Sequence, residues 1–231
     1  MTCRAICFDL YETLITEFDP QWRPGPGIEA RLGLGAATFA REWNQRRTPR
    51  MRGEIDFRTA LTVICQAAGH DARQDIIQAL YEERVALKSK PFRRVDAQIL
   101  EMLSMLRKRN LPLALISNAS AEEVTAWGTS ALAPYFDVVV FSCDVGYVKP
   151  EMEIFHQACA QLQVSPAETL FVGDGGSDEL TGAERAGLIP IWATWFLDQW
   201  PETPPRHAFM AAPARYHRVR QPRELIAAVV E

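Results

Sequence analysis

Four short apolar runs constrain this chain more than any other feature of its sequence: "AICFDL" (5–10), "LPLALISN" (111–118), "DVVVFS" (137–142) and "TLFVGD" (169–174). They are rich in β-branched residues and do not alternate with polar ones, the pattern of strands buried on both faces of a parallel sheet. A fifth run, "IPIWAT" (189–194), extends the series. Helical stretches separate the later runs. "VDAQILEMLSMLRKR" sets Ile99, Leu103 and Leu106 at helical spacing and ends in a basic turn that suits the helix dipole. "PEMEIFHQACAQLQ" opens with Pro150, a favoured first helical residue, and "SDELTGAERAG" ends at Gly187, a C-capping glycine. Strand alternating with helix predicts an α/β fold, a parallel sheet with helices on both faces.

Residues from about 17 to 90 break the rhythm. They hold no strand pattern and read as helices, among them "ATFAREWNQRR", "DFRTALTVICQAAG" and "ARQDIIQALYEERVALKS". Such a length is far beyond an ordinary strand-to-helix connection. The economical reading is an α/β core of residues 1–16 and 91–231, with an all-α subdomain inserted at 17–90. "EFDPQWRPGPG", rich in Pro and Gly, is the expected first hinge. Near the other end, "DQWPETPPRHAFMAAPARYHRVRQP" reads as irregular before a short closing helix, "RELIAAVV".

Charge and composition narrow the function. The 231 residues carry a net charge of -4 and a pI near 5.7, which argues against a nucleic-acid partner. No apolar run approaches the roughly 18 to 20 residues of a membrane helix. The opening "MTCRAICFDL" has none of the marks of a secretory leader, so a cytoplasmic location is expected. Five cysteines without CxxC spacing fit reduced thiols rather than a disulfide framework.

In an open parallel sheet, ligands gather at the carboxyl ends of the strands. The predicted strand ends carry Asp9, then Ser117 and Asn118, then the loop leading to Lys149, and finally Asp174 with Asp178. In that order the sequence resembles the haloacid dehalogenase-like (HAD) hydrolase superfamily over nearly its whole length. "FDLYETL" looks like the first motif of that family, "ISN" the second, "VKP" the third and "VGDGGSDELTGAERAG" the fourth. The resemblance implies a Rossmann-like core and identifies the helical insert with the family's cap of the first type. It also implies an Asp9 nucleophile and Lys149 as a neutralising cation. Mg²⁺ would be held by Asp9, Asp174, Asp178 and the main-chain carbonyl of Tyr11. Ser117 and the amides after it would bind the transferring group, Asn118 would bind substrate beside it, and Thr13 would orient a neighbour.

Tyr11 departs from the family's phosphatases, which carry an acid/base aspartate two residues after the nucleophile. A phenol with an ordinary pKa near 10 is a poor base at neutral pH. Glu12 is adjacent, but neighbouring side chains on extended chain point apart. The family's 2-haloacid dehalogenases do carry tyrosine there, and a halide leaves without a proton. Those dehalogenases need no metal and lack the paired acids of the fourth motif, which this chain keeps. The expectation is therefore a Mg²⁺-dependent hydrolase of a small, anionic phosphate ester. The alternatives are 2-haloacid dehalogenation and a non-catalytic binding protein. In the insert, "RRTPRMRGEIDFR" gathers Arg46, Arg47, Arg50 and Arg52, whose planar donor forks suit an anionic substrate if they face the cleft. Gly53, in the same stretch, would allow a close approach to the core.

Overall fold

The computed structural model describes residues 3–19, 21, 27–199 and 215–229. Six parallel strands form one sheet in the order β3-β2-β1-β4-β5-β6. They are β1 (Ala5–Phe8), β2 (Leu113–Ser117), β3 (Val138–Phe141), β4 (Thr169–Gly173), β5 (Ile189–Ala193) and β6 (His217–Val219). The five expected strands are all present. The sixth was expected to be irregular chain. Only three residues pair there, too short a run for periodicity to reveal, and β5 supplies its register.

Ten α-helices and seven short 3₁₀ turns complete the described elements. Five make up the insert: α1 (Ile28–Arg31), α2 (Ala36–Gln45), α3 (Arg47–Met51), α4 (Phe57–Ala67) and α5 (Gln74–Ser89). The others are α6 (Ala97–Lys108), α7 (Ser142–Val145), α8 (Met152–Leu162), α9 (Glu179–Arg185) and α10 (Pro222–Ala228). Pro150 does not open α8 as its position suggested. Glu151 precedes the helix, and Pro150 follows a cis peptide bond from Lys149.

The unalternated strands are explained by two buried faces. Ile6, Phe8, Leu113 and Leu115 pack against Ile99, Leu103 and Leu106 of α6 and Leu225 of α10. Cys7, Ala114, Ile116 and Val140 face Ile154, Phe155 and Ala158 of α8 and Ala183 of α9. The insert has its own apolar centre around Phe57, Leu61, Ile64 and Ile77, so it packs without borrowing the sheet. Just past β5, Trp195, Phe196 and Leu197 are buried and add to the core.

β1 lies between β2 and β4, where successive strands turn from one side of the sheet to the other. That switch point opens a crevice at the carboxyl ends. The insert approaches this crevice through the stretch after α3. Gly53 has φ +71°, and a Cβ there would stand 2.1 Å from the carbonyl oxygen of Cys143 in α7. Only glycine meets both conditions at once. Gly53→Ala is expected to lower stability by about 1–3 kcal/mol. A thermal melt, with hydrogen exchange at α3 and α7, measures it.

Candidate active site

β1 is the central strand, and Asp9 is the first residue past its end. Its N–H still donates to the Val172 carbonyl at 2.9 Å, so β4 continues to hold the backbone where the side chain is presented. Asp174 leaves the end of β4 beside it. The Asp174 carboxylate accepts the Gly176 N–H at 2.8 Å, and its carbonyl accepts the indole N–H of Trp192 at 2.9 Å. Lys149 reaches across from the loop before α8, with its ammonium donating to both Asp9 and Glu179. All four side chains are buried.

Asp9, Asp174 and Glu179 each offer a carboxylate oxygen within 4.8 Å of the others. Asp178, expected as the fourth-motif ligand, is instead exposed. Ser177 and Asp178 both adopt left-handed backbone, which swings Asp178 outward and turns Glu179 in. The signal was present in the sequence. Glu179, Gly182, Ala183 and Ala186 follow helical spacing, and all four are buried. Gly173 makes room for Glu179, since a Cβ at 173 would lie 2.1 Å from its Oε1.

Crowding of acids dominates the electrostatics. Burial first, then Asp9, raises the Asp174 carboxyl to about 7. Burial and Asp9 likewise raise Glu179, against the pull of Lys149. For Lys149, burial alone would lower the ammonium, but Asp9 and Glu179 outweigh it and raise it. The lysine is therefore a permanent cation on a floor with too many carboxylates for one charge. Three oxygen donors so close together are the ligand chemistry that Mg²⁺ takes, so the residues present fit that ion.

Asn118 does not stand as a simple substrate contact. Its side chain brackets the Lys149 backbone, accepting from the N–H at 2.7 Å and donating to the carbonyl at 2.9 Å. Ser117 is buried with a hydroxyl that has no partner among the described residues, and so is Thr13. The Thr13 carbonyl is held by the Trp195 indole N–H at 2.8 Å. Trp192 and Trp195, neither foreseen as site residues, thus fasten the backbone of two motifs.

The Tyr11 hydroxyl donates to the Glu123 carbonyl at 2.9 Å. Burial, then Glu123, raises the phenol well above its ordinary value. Glu12, with φ 57°, is buried and its carboxylate accepts from the Thr16 hydroxyl and the Glu17 N–H, closing the turn after β1. Neither side chain is disposed as an acid/base group.

The insert's arginines divide. Arg46 pairs with Glu42 of its own segment at 2.7 Å, and Arg47 is exposed. Arg52 pairs with Glu151 of the core. Arg50 is buried, with its guanidinium 3.6 Å above the Trp43 ring. Trp43 and Phe57 pack edge to face inside the insert. A second contact line comes from α5: Arg84 pairs with Glu122 and Glu123, and Lys88 with Glu123 and Glu17. Nothing in the sequence pattern marked these pairs, because Glu122 and Glu123 sit in a short turn after β2 and Glu17 follows β1, all far from α5 in the chain.

Two outcomes are expected. Asn118→Ala removes both braces on the Lys149 backbone and should lower kcat by roughly ten-fold or more with folding kept, measured by kinetics beside circular dichroism. The second concerns Glu123, whose carboxyl burial alone would raise; Lys88 and Arg84 outweigh it and hold it at about 2. A depressed folded value stabilises above the unfolded value and is lost below it. Acid titration should therefore remove about 3 kcal/mol between roughly pH 4.5 and 2, and Glu123→Gln should flatten that part of the curve.

Residues 3–187 match the family model for haloacid dehalogenase-like hydrolases. The (S)-2-haloacid dehalogenase 2 of Pseudomonas sp. (strain CBS-3) is 28% identical over 199 residues, 82% of each chain. The phosphoserine phosphatase of Thermus thermophilus is 30% identical over 172 residues, 72% of this chain and 59% of that protein. Among solved structures, a 2-haloacid dehalogenase from Pseudomonas syringae pv. Tomato superposes with a TM-score of 0.70 at 22% identity, covering 99% of both chains. With the motif residues converging at the sheet's switch point and the family model matched over most of its length, the chain belongs to the haloacid dehalogenase-like hydrolases.

Proposed function

We propose that this hydrolase cleaves small phosphate esters with the help of Mg²⁺, through an aspartyl intermediate on Asp9. The observation that carries the reading is the set of three buried carboxylates, Asp9, Asp174 and Glu179, around the single ammonium of Lys149. An anionic substrate meets net repulsion on such a floor. Asp9, Asp174 and Glu179 are the side chains that would hold the ion, with the Tyr11 carbonyl in the role the family resemblance gives it. Bound Mg²⁺ supplies positive charge that offsets repulsion between the carboxylates and the incoming phosphoryl group.

Asp9 attacks phosphorus, the bond to the leaving oxygen breaks, and an acyl phosphate forms on the carboxylate. Lys149 neutralises oxygen charge during transfer, and the unpartnered Ser117 hydroxyl donates to the transferring group. Water then attacks, releasing phosphate and restoring Asp9. Tyr11, its proton already committed to the Glu123 carbonyl, supplies no acid or base. Without that help, worth about 10²–10⁴-fold, the enzyme favours leaving groups that depart with little protonation.

The Tyr11 hydrogen bond also supports a second reading. Displacement of halide from a small 2-haloacid needs no proton on the leaving group, so the absent acid would cost that reaction nothing. Asp174 weighs against it, because a buried carboxylate beside the nucleophile repels a substrate carboxylate unless a cation intervenes.

Phosphate release from an aryl phosphate is expected with Mg²⁺ and not after chelation, with Asp9→Asn reducing it by at least roughly 10³-fold. Absence of release with every divalent ion tested overturns the phosphatase reading. Metal-independent halide release from a 2-haloacid would install the second.

A further inference from the structure

The turn from β4 into α9 carries two of the three carboxylates of the floor, Asp174 at its start and Glu179 at its end. Gly175, Ser177 and Asp178 within it have φ of 93°, 54° and 53°, the left-handed region that residues other than glycine enter only at a cost. Such a turn needs fastening, and two of its hydrogen bonds draw on the acids themselves. The Asp174 carboxylate accepts the Gly176 N–H at 2.8 Å, and the Glu179 carboxylate accepts the Gly175 N–H at 3.1 Å. Carboxylate oxygens used in this way are the same atoms that a cation would take.

A third tie makes no demand on the acids. Trp192 of β5 donates its indole N–H to the main-chain carbonyl of Asp174 at 2.9 Å. The paired registers of β4 and β5 end at Gly173 and Trp192, so Asp174 lies just past the ladder and its carbonyl is received by a side chain. Trp192 is itself held. β6 places Arg218 opposite it, with the guanidinium 4.9 Å from the ring centre. That guanidinium is fixed in turn by bonds to Thr194 at 2.9 Å and Asp198 at 2.6 Å. A cation over the ring orients the indole and leaves its N–H available. Contacts therefore run from the outermost strand of the sheet to a carbonyl of the reactive floor.

We infer that Trp192 is a positioning residue for the divalent ion: by holding the Asp174 carbonyl it keeps the turn in place when the carboxylates are drawn to a cation, and so it sets the affinity of the site for Mg²⁺. This rests on the proposed Mg²⁺ reading of the floor. An indole with a merely structural role stabilises the chain equally with and without the ion. An indole that positions the ligands is linked to the ion, and linkage is reciprocal. Whatever factor the N–H bond adds to ion affinity, the ion adds to that bond.

The test titrates Mg²⁺ alone, and separately Mn²⁺ alone, into the full chain by calorimetry. Wild type is compared with Trp192→Phe, which keeps an aromatic ring beside Arg218 and removes the donor. Affinity for Mg²⁺ is expected to fall about ten-fold, or about 1.4 kcal/mol, the scale of one hydrogen bond. In thermal melts the gap between variant and wild type should widen when Mg²⁺ is added. Arg109→Met is the control, because Arg109 also donates to a main-chain carbonyl, that of Ile226 at 2.9 Å, where the end of α6 meets α10. It should leave Mg²⁺ affinity within about two-fold. In the wild type, exchange of the Trp192 indole N–H, followed by NMR, should slow about ten-fold once Mg²⁺ is present. If Trp192→Phe does not fold, that exchange measurement decides. Mg²⁺ affinity within about two-fold of wild type in Trp192→Phe, an equal loss in Arg109→Met, or indole exchange indifferent to Mg²⁺ overturns the inference. Binding of neither ion by the wild type overturns the metal reading and this inference together. Ion binding with the expected dependence on Trp192, but no phosphate release from any ester, overturns the hydrolase reading and leaves the Trp192 assignment standing.

Discussion

One buried ammonium organises this protein. Lys149 is almost without solvent, yet it stays charged because Asp9 and Glu179 close on it from two directions. Each partner would be costly to bury alone, and together they form a set whose members are all required. The rest of the core supplies their positions. Asp9 comes from the central strand, Glu179 from the first turn of α9, and Lys149 from a loop whose backbone is clasped by Asn118. The surplus of carboxylate over ammonium leaves the floor acidic, which is why a divalent cation is an apt companion and an uncompensated anion is not.

The insert contributes by another kind of chemistry. Its interior is apolar and self-sufficient, and it meets the core through close backbone approach at Gly53 and through ion pairs from Arg52, Arg84 and Lys88. Ion pairs of this sort are modest individually, but those from Arg84 and Lys88 join at Glu123, so that a single carboxylate answers two cations and carries a depressed pKa as a result. The hydroxyl of Tyr11 is bound to the backbone of that same residue. The aromatic side chain that distinguishes the first motif thus belongs to the junction between insert and core as much as to the reactive centre.

The sheet was legible because burial on both faces leaves no polar alternation in β1 to β4, and the helix-only insert was legible from its length. What escaped had local causes. β6 is three residues long, and its place is set by β5. Asp178 and Glu179 are adjacent acids, and which one turns inward depends on two left-handed residues that composition does not announce. Asn118 was read as a ligand-facing residue, although its amide is used on the Lys149 main chain. The arginine cluster read as a unit, whereas helix phase and nearby acids send its members to different fates: one is paired within the insert, one is exposed, one is tied to the core and one is buried on an indole.

At Gly182 the helix carrying Glu179 touches the chain just after Lys149. A Cβ on that glycine would stand 2.8 Å from the Cα and carbonyl oxygen of Pro150. The bases of the two oppositely charged side chains are therefore registered against each other main chain to main chain, inside the core and without any help from the insert. Sequence changes confined to the insert therefore leave this registration, and with it the Lys149–Glu179 pair, in place.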